Sequence, residues 1–390
     1  MWKAVASNAL TLIGVILIAV AGAIAWGRYQ YVKPGPLVDA VCVQVGKGAN
    51  LSTVSKQLEE QGAVTDGRIF RIGTRYSDKA ALLKHGAFLV EPHSSMREIL
   101  EILTVGGAST CGEEISLRVG VAKSAITLRE LDLASNQFVN VVEFDVGEAD
   151  RPDEYLAALK DGSMRFRVIA VEGATSRRIA MAIEGAEFLS GVIDAIPAEG
   201  SLAPGNYDVD PGSERAALIV RMSEAQSKIM NDLWSGREKD LPYETPEEAM
   251  IMASIIEKET SVPDERPLVA SVFVNRLRES MPLQTDPTVI YGITKGGEVL
   301  DRSLRQSELR RDTPYNTYIH RGLPPTPIAN PGRDSIMAAL HPAETDYLFF
   351  VADGSGGHAF ASTLAEHNRN VQRWREIEAQ RVNETVGDER

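Results

Sequence analysis

The sequence predicts an α+β protein of several folded units attached to a single amino-terminal membrane helix. Three observations carry that expectation: an uncharged apolar run near the start, short strand-like and helical segments through the middle, and a run of strongly capped helical signals in the last third. At 390 residues the chain exceeds the usual single-domain size, and 44% apolar with 24% charged residues is the composition of a folding chain. The formal net charge of -13, with no dense Lys/Arg run to offset it, argues against nucleic acid as a partner.

Residues 1–35 read as a cytoplasmic leader, a membrane helix and a linker. Ala9 to Trp26, ALTLIGVILIAVAGAIAW, carries no charge and at about 1.5 Å per helical residue is close to the length that crosses a hydrocarbon core. A short leader before the folded mass favours a cytoplasmic amino terminus with the rest exported. A cleaved signal peptide is the rival reading, since Ala21-Gly22-Ala23 and Ala23-Ile24-Ala25 fit a cleavage pattern, but the apolar run is longer than a typical signal-peptide core. Trp26, Tyr29 and Tyr31 suit the headgroup level, although such rings also pack on loops. Lys33-Pro34-Gly35-Pro36 ends the helix.

Residues 36–108 read as a compact α+β module. Cys42 to Val45 is strand-like, and Leu51, Val54 and Leu58 recur at helical spacing. Ser95 with Glu98 forms a capping box ahead of a stripe of Met96, Ile99, Leu100 and Leu103. Cys42 and Cys111 have no His or Cys neighbours at metal-ligand spacing, so no metal and no cofactor is expected; they are two core thiols or one disulfide. Residues 109–165 show little pattern beyond a helix over Pro152 to Lys160, and are taken as an insertion or linking region of unclear structure. The linking part, 166–240, has a strand at Arg167 to Val171, a turn and cap at Glu172 to Ser176, a Gly/Pro/Asp-rich stretch at Glu199 to Gly212, and a long helix from Ser213 to Leu233.

The signals become dense in 241–378, the expected catalytic domain, before a tail at 379–390 expected to fray. Thr245-Pro246-Glu247-Glu248 is a strong helix start, and Pro263 ends the helix shortly after Glu257-Lys258-Glu259-Thr260. At roughly 100° per residue, Glu257 and Glu259 project about 200° apart, so only one can be central to a small site. Glu259 shares the stripe of Met252, Ile255 and Ile256, whereas Glu257 lies over Met250, Ala253 and Ser254. A carboxyl against apolar side chains at a helix C-terminus has its charged form disfavoured and is suited to donate a proton near neutral pH. The bland alternative is that both glutamates are solvated and pair with Lys258, Arg266 or Arg276.

EKET in this helix, VASVFVNRL (Val269 to Leu277), PLQTDPTVIYG (Pro282 to Gly292), TPYNTYIHRGLPPTPIANPG (Thr313 to Gly332) and HPAETDYLFFVADGSGGHAF with the later AEHN (His341 to Asn368) closely resemble the MltG-type endolytic murein transglycosylases, the YceG-like family. The resemblance implies a single membrane span, a LysM-like module and a YceG-like catalytic domain, in an inner-membrane protein whose catalytic part is periplasmic. It implies cleavage of the MurNAc-GlcNAc bond of peptidoglycan glycan strands, leaving 1,6-anhydro ends and ending strand growth, with association to peptidoglycan synthases. It puts the catalytic acid on the second glutamate of EKET, Glu259, where the helical-face argument also puts it. The chain departs from the family at Glu199-Gly200-Ser201-Leu202-Ala203-Pro204-Gly205-Asn206-Tyr207, which lacks an aromatic and an aspartate, and the stretch from Cys111 to Ser163 looks like an insertion relative to shorter members.

For a sugar substrate, Gln284, Thr285 and Asp286 before a proline, with Tyr291, Tyr315, Asn316 and Tyr318 among turn residues, form a polar and aromatic loop set suited to N-acetyl groups and sugar rings. Turn capping by Asp286 and Asn316 and plain packing of the tyrosines are the alternatives. Glu257 and His358 are supporting candidates, His358 following the Asp353 to Gly357 hairpin turn; Glu366, in a capping box with Thr363, is read as structural. Two competing functions remain open: a non-catalytic peptidoglycan-binding scaffold and a hydrolytic muramidase.

Overall fold

The computed structural model describes residues 2–46, 48–105, 110–160 and 164–388. Helix α1 (Trp2–Val32) contains the one segment among the described residues long and apolar enough to cross a membrane, Thr11–Val32, and no residue of its apolar 18-residue window is buried against protein. Its last turn departs from the expectation for the aromatic cluster: Trp26 and Tyr29 are exposed, but the Tyr31 ring is half-buried on the module, so close to Gly73 that a Cβ there would fall 2.3 Å from it. The end of this helix is thereby packed directly on the next folded unit.

That unit runs β1 (Val41–Val45), α2 (Leu51–Glu60), α3 (Gly67–Tyr76), β2 (Gly86–Val90) and α4 (Met96–Val105). The two strands pair antiparallel with Val43 opposite Phe88. Asn50 caps α2 and Asp66 caps α3, each accepting from backbone N–H groups of the first turn, and the Ser95–Glu98 capping box forms as its spacing predicts. Val54, Leu58, Phe70, Phe88, Ile99 and Leu103 close the core. Cys42 and Cys111 form a disulfide, Cα–Cα 5.8 Å, that ties β1 to the chain entering the next unit.

The region 109–165, which the sequence left without clear structure, supplies the spine of a five-stranded sheet. It holds β3 (Glu113–Val119), β4 (Ser124–Asp132), β5 (Gln137–Asp145) and the short α5 (Asp153–Ala158). There follow β6 (Arg165–Ala170), α6 (Ser176–Glu184), β7 (Leu189–Ser190), β8 (Gly205–Val209), β9 (Ser213–Glu214) and α7 (Arg215–Trp234). The strand order is β5-β4-β3-β6-β8, with β3 parallel to β6 and the other pairs antiparallel, while β7 and β9 pair separately. Ile115, Leu117, Ile126 and Phe166 pack with Ile179 and Ile183 of α6. Glu114 is fully buried and faces Arg129, Arg165 and Arg167, which offset its charge.

The last unit comprises α8 (Pro246–Glu259), α9 (Arg266–Arg278), α10 (Asp286–Thr294), α11 (Gln306–Leu309), α12 (Arg333–Leu340), the hairpin β10 (Phe349–Ala352) and β11 (His358–Ala361), and α13 (Leu364–Asp388). Met252, Ile255 and Ile256 of α8 are buried against Val269 and Phe273 of α9 and Ile336 and Leu340 of α12. The tail expected to fray is helical to Asp388; Arg381 donates to the Gly354 carbonyl and lies over the Trp374 ring, anchoring this stretch on the hairpin turn. Asn330, fully buried, clamps this unit to the sheet unit: its backbone N–H and its amide both donate to Ala174 O at 3.0 Å, and its side-chain oxygen accepts from Leu202 N at 2.9 Å.

Candidate active site

The capping box at Thr245 and Glu248 fixes where α8 begins, and the extended backbone of Thr260 (φ -141°, ψ 137°) fixes where it ends, so Glu259 is its final residue. The two glutamates point apart, as the helical period requires. Glu257 Oε2 accepts from Gly332 N at 2.9 Å and from Ser335 Oγ at 2.7 Å, and so holds the first turn of α12. Burial pushes its carboxyl above the usual range, against those two bonds.

Glu259 is packed by protein on nearly every side yet keeps some exposed surface. Burial pushes its carboxyl above the ordinary range. The Thr285 hydroxyl, which donates to Oε1, pulls the other way, the charge of Asp286 pushes with burial, and His358 and Arg276 pull back. Arg276 is itself fixed, its Nε donating to Leu348 O at 2.7 Å and its Nη1 to Leu283 O at 2.6 Å.

Of the residues proposed from sequence, four gather here. Thr285 is buried, its N–H bonded to Thr317 Oγ1 at 3.1 Å, so its hydroxyl is aimed at Glu259 by the loop on the other side. Asp286 begins α10 and accepts from the Tyr318 hydroxyl at 2.6 Å. Burial, then the bond to Asp286, pushes the Tyr318 phenol well above its usual range. Gln284 has φ 53°, donates its N–H to Thr317 O at 3.1 Å, and leaves its side chain exposed.

The other three are engaged elsewhere. Tyr291 donates to Glu199 Oε2 at 3.1 Å and packs on Tyr315, whose hydroxyl meets Thr326 Oγ1 at 2.8 Å. Asn316 is fully buried; its amide donates to Leu309 O at 3.0 Å and Arg311 O at 2.8 Å while its oxygen accepts from Tyr318 N at 3.0 Å. It holds the loop, and its hydrogen-bonding capacity is spent there.

Two acids that sequence reasoning did not single out hold candidate residues in place, Glu265 holding His358 and Glu199 holding Tyr291. Glu265 accepts from His358 N at 2.6 Å, meets His358 Nδ1 at 2.7 Å, and accepts from Thr260 Oγ1 at 3.0 Å. Burial alone would raise its carboxyl, but these bonds outweigh it and hold it low, so Glu265 pins the hairpin to the end of α8. Glu199 is pushed up by burial, against bonds from Ser176 and Tyr291. An acidic residue just beyond Pro263 was the only visible sign of the first, and the Glu199-Gly200 motif of the second.

A family model described as the YceG-like family matches residues 118–373, a span that includes every residue just described. The chain belongs to the YceG-like family. An endolytic murein transglycosylase of Streptococcus pneumoniae (serotype 2, strain D39) is 28% identical over 367 residues, covering 91% of this chain and 63% of that protein. One of Bacillus subtilis is 41% identical over 179 residues, 46% of this chain and 48% of that protein. The chain therefore spans less than two thirds of the length of these relatives. A solved structure of a putative yceG-like protein from Listeria monocytogenes is similar at 25% identity and a TM-score of 0.45, over 85% of this chain and 98% of that one.

Proposed function

We propose that this YceG-like protein is an endolytic lytic transglycosylase that cleaves the MurNAc-GlcNAc bond of peptidoglycan strands, with Glu259 as its single catalytic carboxyl. The observation that carries the reading is the enclosed Glu259 carboxyl, biased toward its neutral form and oriented by Thr285. The relatives' names point to the same chemistry.

In this mechanism Glu259 gives its proton to the glycosidic oxygen as the bond to the muramoyl C1 breaks and an oxocarbenium-like centre develops. The C6 hydroxyl of the same sugar then attacks C1, and Glu259, now a carboxylate, takes the hydroxyl proton. The product is a 1,6-anhydro end, no water is consumed, and the acid is regenerated. Asp286 supplies negative charge beside the developing cation, and Tyr318 orients it. Gln284, with Thr285, Asp286 and Tyr318, is assigned to substrate binding, as are Tyr291 and Tyr315 on the neighbouring surface; Glu257 and His358 support the frame.

The wider assignment follows the same reading. Residues 1–35 serve as anchor, 36–108 as a LysM-like module, for which the β-α-α-β order speaks, 109–240 as the sheet unit and 241–378 as the catalytic domain. The amino terminus lies in the cytoplasm and the catalytic domain on the periplasmic face of the inner membrane; a Cys42–Cys111 disulfide suits an oxidising compartment. Termination of strand growth alongside peptidoglycan synthases is its proposed role. Incubating sacculi with the full chain and weighing the released muropeptides tests the reaction. Anhydro ends, lighter than reducing ends by one water, are expected; reducing ends would make it a muramidase, and no release would make it a scaffold.

A further inference from the structure

A cavity of 270 Å³ opens between the sheet unit and the catalytic unit, on the flank of α8 that carries Lys258. Pro287, Ile290, Leu300 and Ile328 give it an aliphatic wall, and Lys258 and Arg178 bring two cations to it. Arg178 Nη1 donates to Ala122 O at 3.0 Å, and Lys258 Nζ reaches the Gly173 carbonyl only at 3.5 Å. Among the described residues neither has a carboxylate within ion-pair distance. The nearby acids are committed elsewhere: Glu257 holds Gly332 and Ser335, and Glu199 holds Ser176 and Tyr291. Both cations are partly buried, which penalises an unpaired charge unless a ligand supplies the counter-charge.

The lining also sets the ligand class. Glu298 is the one acid lining the cavity, and the charges of Glu257 and Glu199 also reach Lys258, so the surplus of positive charge is small and suits a single carboxylate better than a phosphate dianion. The aliphatic wall fits an amino-acid side chain beside that carboxylate. At 270 Å³ the space is at the small end of ligand pockets, roughly 300–1,000 Å³, and takes a short branch rather than a glycan strand. It also adjoins the reaction centre at two points in the chain: Lys258 precedes Glu259, and Pro287 follows Asp286.

We propose that this cavity is a subsite for a free carboxylate on the peptide stem borne by the muramic acid residue, with Arg178 and Lys258 as its cationic partners. The assignment rests on the glycan-cleaving reading of Glu259, and it makes the enzyme selective for strands that still carry stems. The test uses the full chain in detergent with two substrates: uncrosslinked glycan strands with intact stems, and the same strands stripped by an amidase.

Arg178→Met should lower kcat/KM on stem-bearing strands about tenfold more than on stripped ones, the scale of a lost charge-assisted hydrogen bond. Arg178→Lys, which keeps the charge, should restore most of the preference for stems. Equal losses on both substrates, or none on either, would overturn the proposal. Binding to both strands measured in Glu259→Gln, with and without Arg178→Met, gives the same comparison without turnover. If the wild-type chain cuts neither substrate, the reading of Glu259 fails, and the subsite is still judged by whether Arg178→Met weakens binding to stem-bearing strands selectively.

Discussion

Thr285 and Asp286 act on Glu259 with opposite sign, and replacing each in turn should move the pH dependence of cleavage in opposite directions. Thr285→Val keeps the shape of the side chain and the backbone bonds to Thr317 and Thr288, and removes only the hydroxyl that donates to Glu259 Oε1. A hydrogen bond to a charged group is worth about 1.5–3 kcal/mol, and that is the free energy by which ionised Glu259 would lose ground to the neutral acid. The carboxyl is then held above the ordinary range more strongly still, and the loss of activity at alkaline pH shifts upward. Asp286→Asn removes a negative charge that pushes with burial, so the same limb shifts downward. The assay is kcat/KM for strand cleavage across pH in each variant. Shifts of the same sign, or none, would refute the assignment of Glu259 as the titrating acid.

Three further outcomes follow from the packing. Because the folded carboxyl of Glu259 is raised above its unfolded value, its stabilising contribution is fully present below the unfolded value and lost as pH rises through the folded one; Glu259→Gln should therefore raise Tm at neutral pH and lose that advantage on acidification, as calorimetry at two pH values would show. Glu257→Ala leaves Gly332 N and Ser335 Oγ without their acceptor and should cost about 2–3 kcal/mol in denaturant unfolding, whereas a Glu257 that merely sat in solvent would cost nothing measurable. Cys42→Ser opens a bridge spanning 69 residues, for which chain entropy predicts a loss of about 4 kcal/mol; an unchanged unfolding midpoint under oxidising conditions would contradict the bridge.

The parts of this fold legible in the sequence are those whose signals are local. The capping boxes at Thr245 and Ser95, the stripe of α4, and the divergence of Glu257 and Glu259 all follow from spacings within one or two helical turns. The strands β3 and β4 carried a local signal that went unread: Ile115, Leu117 and Val119 alternate with Glu114, Ser116 and Arg118, and Ile126 and Leu128 with Thr127 and Arg129, while what stayed hidden is that Glu114, Ser116 and Thr127 are buried as well, which only the assembled sheet shows. The pairings that build the site are long-range: Tyr318 meets Asp286 across 32 residues and His358 meets Glu265 across 93, and no local pattern encodes either. Asn316 illustrates the opposite error, since a polar residue among turns reads equally as a ligand-binding group or as the internal tie that it is.

The central claim is that one neutral carboxyl at the end of α8 performs both proton transfers. It is tested most directly by comparing the full chain with Glu259→Gln on the same peptidoglycan strands, following the appearance of new chain ends by mass. Loss of a general acid predicts a fall in rate of about 10²–10⁴-fold with binding of strands preserved. A variant that cleaves at the wild-type rate would place the proton donor elsewhere.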